Sequence, residues 1–146
     1  MQKQKTSNID SITLENGLTI YAAKAEGFTG AAIAARVNFG TSDEKSNGYS
    51  RGSAHLLEHV VLDGIGKKKE LGYLAANTRY EYTLYKEMMH IDNIQIGIDA
   101  IREMLLRPDI NESAYLKAKK EVVQEVSRGA VKGFYSLTYM PFALYG

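Results

Sequence analysis

Two of the three histidines in this chain of 146 residues stand four positions apart, within the stretch Ala54-His55-Leu56-Leu57-Glu58-His59-Val60-Val61-Leu62. On a helix each residue turns by ~100°, so His55 and His59 share one face a turn apart, with Glu58 beside them. Leu56, Leu57, Val60 and Val61 make such a helix apolar nearly all round, which calls for burial. Buried imidazoles and carboxylates are costly unless they are paired or bound to a metal. Two imidazoles at this spacing reach one ion through zinc–nitrogen bonds of ~2.0–2.1 Å. A third ligand, commonly a carboxylate, then comes from elsewhere in the chain, and the fourth position is left to water. The spacing His-x-x-Glu-His is an inverted zinc motif. The competing reading is a pair of hydrogen-bonded core histidines beside a coincidental glutamate.

The elements that must position these residues are legible in outline. "ITLENGLTIYAA" carries two β-prone runs around Asn16-Gly17, a hairpin signal. Residues 31–39 read as a buried strand, and 40–52 as a polar loop rich in turn formers. The histidine helix follows and should end near Gly64. Residues 78–91 are β-branched and aromatic with near alternation, so one strand is expected there. Ile94, Ile98, Ile101, Met104 and Leu105 recur at helical spacing over 93–107, closed by Pro108. A second helix is expected over 112–128, with Asn111 as N-cap and Gly129 as stop. Strands and helices without strict alternation predict an α+β fold, a mainly antiparallel sheet with helices packed on one face. With no repeat or long linker, residues 1–146 read as a single domain.

Composition narrows the function classes. A net charge of +1 provides no field that would gather nucleic acid or an anionic membrane. The absence of cysteine excludes disulfides, thiolate metal sites and cysteine nucleophiles. No stretch approaches the ~18 apolar residues of a membrane helix, and the N-terminus lacks the apolar core of a signal peptide. A soluble, cytoplasmic protein is the resulting expectation.

Beyond the pentapeptide, the sequence resembles the insulinase, pitrilysin and mitochondrial processing peptidase family of zinc peptidases. "ITLENGLTIY" is similar to the family's opening hairpin, and "ARVNFGTSDEKSNGYSRGSAHLLEH" to its strand, Gly-rich acidic loop and zinc helix. "AANTRYEYTLY" resembles the substrate-side strand, and "EVVQE" the stretch ending in the third ligand. The resemblance implies one Zn2+ per chain held by His55, His59 and Glu125, with Glu58 as general base. Glu121, one helical turn before Glu125, is the alternative third ligand. Peptide substrate is expected along Ala75, Ala76, Asn77 and Thr78, adding as an extended strand. Glu112 reads as a first-turn acid favoured by the helix dipole. His90 reads as structural or exposed, and Lys67, Lys68 and Lys69 as a solvated turn.

Three departures from the family pattern stand out. Ala118 occupies the place of a second glutamate, Ala75 that of the asparagine in Asn-Ala-x-Thr, and the connection from His59 to Glu125 is shorter than usual. The family's chamber pairs a zinc-bearing half with a homologous one. A homologous metal-free subunit, or failing that self-association, is therefore expected, with Phe134, Tyr139, Phe142 and Leu144 as apolar surface seeking cover. The rival to a zinc-dependent endopeptidase is a non-catalytic, metal-binding subunit serving assembly or substrate binding.

Overall fold

The computed structural model describes residues 9–64 and 72–132, with side chains to 128. The lysine turn and the four apolar residues near the C-terminus lie outside the described residues.

Asn16-Gly17 turns the chain as its composition dictates. Strands β1 (Ile9–Thr13) and β2 (Thr19–Ala23) pair antiparallel in register Ile9↔Ala23 to Thr13↔Thr19. The Gly17 N–H closes the turn on the Leu14 carbonyl at 2.9 Å, and Gly17 takes the left-handed φ of 85° that glycine adopts without a Cβ penalty. Both strands are exposed along their whole length.

The second sheet has three antiparallel strands in the order β3-β5-β4: β3 (Gly30–Val37), β4 (Tyr73–Thr78) and β5 (Thr83–His90). Burial alternates along β5 with period two. Rows Ile33-Glu87-Leu74 and Ala35-Tyr85-Ala76 therefore share the inner face. Onto that face pack Val61 of α2 (Ser53–Asp63) and Ile101 and Met104 of α3 (Ile94–Leu106), forming the core with Tyr85. A second apolar cluster joins α2 to α4 (Glu112–Lys132) through Val60, Leu56, Ala114 and Ala118. The α+β arrangement with helices against one face of an antiparallel sheet thus matches the expectation. Among the described residues no helix is long and apolar enough to cross a membrane.

Four local expectations are corrected. The strand foreseen over 78–91 begins only at Thr83, and Thr78 instead ends β4, because Arg79 turns the chain back on Tyr82 through a 2.7 Å backbone bond. β-Propensity alone cannot register a tight turn built from Tyr80 and Glu81. β3 is not fully buried but alternates, since helices cover one face only. The polar loop holds a single helical turn, α1 (Asp43–Ser46). Gly129 does not stop α4, which runs on to Lys132, whereas Asn111 caps it as foreseen by accepting the Ala114 N–H at 2.9 Å.

Candidate metal centre

Helix α2 needs help to begin where it does. Its N-cap is Gly52, at φ 89°, which has no side chain to accept the free N–H groups of the first turn. Glu44, 2% exposed, reaches in from α1 to do so. It accepts the Ala54 N–H at 2.9 Å and the Gly52 N–H at 3.0 Å. Buried charge-assisted bonds of this kind fix the rotation of the helix, and with it the direction of the histidines.

That rotation brings the rings of His55 and His59 together in a T-shaped arrangement, centroids 4.9 Å apart at 71°. Their Nε2 atoms lie 3.2 Å from each other. From α4 the Glu125 carboxylate closes a triangle, with Oε2 3.5 Å from His55 Nε2 and Oε1 3.7 Å from His59 Nε2. Donor atoms on a tetrahedral zinc with bonds of ~2.0–2.1 Å stand about 3.3 Å apart, so the two nitrogens and this carboxylate fit one ion. His55, Glu58 and His59 also offer donor atoms that all lie within 4.8 Å of one another. Glu121 faces elsewhere: its Oε2 is 3.3 Å from Nδ1 of His59, the nitrogen turned away from the triangle.

Glu58 is 5% exposed and is held rather than free. The Thr78 hydroxyl donates to its Oε2 at 2.5 Å, and Thr83 in turn donates to the Phe39 carbonyl at 3.0 Å. Burial, then the charge of Glu58, keeps the Tyr85 phenol protonated well above its ordinary range. Burial is also the chief influence on His55, holding its pKa below the usual 6.5 against the pull of Glu58, while His59 adds to the lowering. A neutral His55 is the form that can ligate.

The residues expected along the substrate strand lie on β4, which is an edge strand beside β5. Because Arg79 bonds to Tyr82, alternation of the antiparallel ladder turns the backbone groups of Ala76 and Leu74 towards the open edge, and those of Ala75 and Asn77 towards β5. Thr78 is buried, its hydroxyl committed to Glu58. Glu112 lies in the first turn of α4. His90 is exposed and accepts the Asp92 N–H. Sequence reasoning missed Glu44 altogether. The signal was there: a helix opening on Gly52 with no acid in its first turn must take its cap from elsewhere.

Fold and site together define a class: an α+β domain with a pitrilysin-like fold, carrying a His-x-x-Glu-His group on α2 where that helix meets α4. No family model matches the chain. Among curated proteins it is 24% identical over 123 residues to the mitochondrial-processing peptidase subunit beta of Lentinula edodes. It is 25% identical over 122 residues to the subunit of that name from Saccharomyces cerevisiae. Each alignment covers 77% of this chain but 26% of the relative, so the chain spans about a quarter of their length. Among solved structures, pitrilysin superposes with a TM-score of 0.77 at 17% identity, over 87% of this chain and 14% of pitrilysin. A protease from Helicobacter pylori gives 0.66 at 22% identity, over 82% of this chain and 31% of that one. The resemblance to the insulinase, pitrilysin and mitochondrial processing peptidase family is thus borne out by sequence, and the fold by structure.

Proposed function

We propose that this chain is a zinc-dependent endopeptidase subunit that hydrolyses extended peptides and works with a homologous metal-free partner or a second copy of itself. The observation that carries this reading is the triangle of His55 Nε2, His59 Nε2 and the Glu125 carboxylate, with the buried carboxylate of Glu58 beside it. His55, His59 and Glu125 would hold the ion, three protein ligands being the pattern of a catalytic rather than a closed structural site. Bound zinc supplies Lewis acidity, polarising the scissile carbonyl and acidifying water.

The remaining work falls to the chain's own residues. Glu58 takes the proton of the attacking water on its carboxylate and returns it to the leaving amine. Thr78 holds that carboxylate in one orientation. The open edge of β4 receives the peptide as an added strand through Leu74 and Ala76, a mode that reads extension more than side chains. Unfolded or leader peptides are the substrate class this favours. The relatives, processing peptidase subunits by name, support both the reaction and a partner.

The test is Glu58→Gln. It should keep one zinc per chain, measured by plasma emission after gel filtration, and lose cleavage of an unstructured fluorogenic peptide. Cleavage undiminished in Glu58→Gln, or a wild type with neither zinc nor cleavage, would contradict the proposal.

A further inference from the structure

Two carboxylates on α4, one helical turn apart, address opposite nitrogens of the same imidazole. Glu125 lies on the Nε2 side of His59 and Glu121 on the Nδ1 side, at 3.7 and 3.3 Å. An ionised carboxylate only accepts, so a carboxylate at Nδ1 draws the ring proton there and leaves the Nε2 lone pair for a metal.

Glu121 is itself held. Its other oxygen, Oε1, lies 3.6 Å from Lys117 Nζ, which is 2.5 Å from Asp63 Oδ1 at the end of α2. The Asp63 bond, and then Glu121, raise the Lys117 pKa, so that the link stays charged. Asp63 follows His59 by one helical turn, which closes a ring: His59 and Asp63 on α2, Lys117 and Glu121 on α4. The ring closes because the helices meet over small residues. Ala114 and Ala118 pack on Val60, and Ala118 is completely buried. A longer side chain at 118 would have to enter that contact. Position 118, where the family resemblance implies a carboxylate, thus holds a small buried side chain, and the carboxylate at His59 Nδ1 comes from position 121.

We infer that Glu121 is a positioning residue: anchored through Lys117 to Asp63, it fixes the tautomer and ring orientation of His59. The inference rests on the proposed metal site and deepens it. Carboxylates that orient a ligating histidine commonly govern ~10–100-fold in metal affinity.

Two measurements on the full chain test it. The His59 tautomer is read in metal-free protein by long-range 1H–15N NMR, and zinc affinity by competition with a chromophoric chelator. Wild-type His59 should carry its proton on Nδ1. Glu121→Ala should mix the tautomers and weaken zinc binding by roughly 10–100-fold. Glu121→Gln should recover most of both, since its amide oxygen accepts the same N–H, and Lys117→Met should cost less than Glu121→Ala. Wild-type His59 protonated on Nε2, or Glu121→Ala leaving tautomer and affinity unchanged, would overturn the inference while leaving the metal site intact. Zinc abolished by Glu121→Ala yet retained by Glu125→Ala would overturn it too, by making Glu121 a ligand. A wild type that binds no zinc sinks the proposed function, and the metal-free tautomer still decides the role of Glu121.

Discussion

At the scale of single residues, the short bond from Thr78 to Glu58 joins the proposed base to the strand proposed to receive the peptide. Removing the donor while keeping the shape isolates its effect. Thr78→Val should leave zinc content unchanged and lower kcat by roughly ten-fold, the equivalent of ~1.4 kcal/mol, while Thr78→Ser recovers it. A Val variant with wild-type kcat would show that the base needs no such restraint. Glu87 poses the opposite case. It is 3% exposed on the inner face of β5, its Oε2 has no hydrogen-bond partner among the described residues, and burial raises its pKa above the usual 4.5. The native state therefore binds more protons than the unfolded chain above that value, and stability falls as pH rises through the raised pKa. Glu87→Gln should be more stable than wild type near neutral pH, by about 1 kcal/mol or more, with the gap closing towards about pH 4. Denaturant titrations across that range check it, and a gap independent of pH would contradict it.

At the scale of elements, α2 depends on a cap supplied by α1. Glu44→Ala strands the buried Ala54 N–H and the half-buried Gly52 N–H and removes two charge-assisted bonds, so a loss on the order of 2–4 kcal/mol in unfolding free energy is expected. Zinc affinity should fall with it, because the first turn of α2 carries His55. Thermal melts and zinc titration of the variant test both effects, and a stable variant with frayed metal binding would divide the two roles. The element pattern shows what a sequence can convey. Helix α2 was legible because His55, Glu58 and His59 are the exceptions in an apolar run, and α3 because its isoleucines recur at helical spacing. The hairpin was legible because Asn-Gly encodes its own turn. The division of β4 from β5 was not, since Tyr80 and Glu81 carry no turn chemistry and Gly40 and Thr41, far off in sequence, pack over that turn. The opposed placements of Glu121 and Glu125 around His59 were hidden for a related reason. Both face α2, and which nitrogen each carboxylate meets depends on how the two helices pack, through Val60, Ala114 and Ala118, which the spacing of the acids does not convey.

At the scale of the whole molecule, the three-stranded sheet and α2, α3 and α4 form one packed body, whereas the β1–β2 hairpin exposes Ile9, Ile12, Ile20 and Tyr21. An exposed apolar ribbon is a ready surface for another chain. Activity per chain should therefore rise with added homologous partner, or with concentration if the chain associates with itself. A monomer by sedimentation that cleaves peptide at a full, concentration-independent rate would contradict this. Everything proposed for the chain depends on the metal triangle, and anomalous diffraction at the zinc edge, from crystals grown with zinc, probes that triangle without intermediaries. A single strong peak is expected within bonding distance of His55 Nε2, His59 Nε2 and a Glu125 carboxylate oxygen, with Glu121 remaining on His59 Nδ1. A peak ligated by Glu121 in place of Glu125, or no peak between the two histidines, would contradict it.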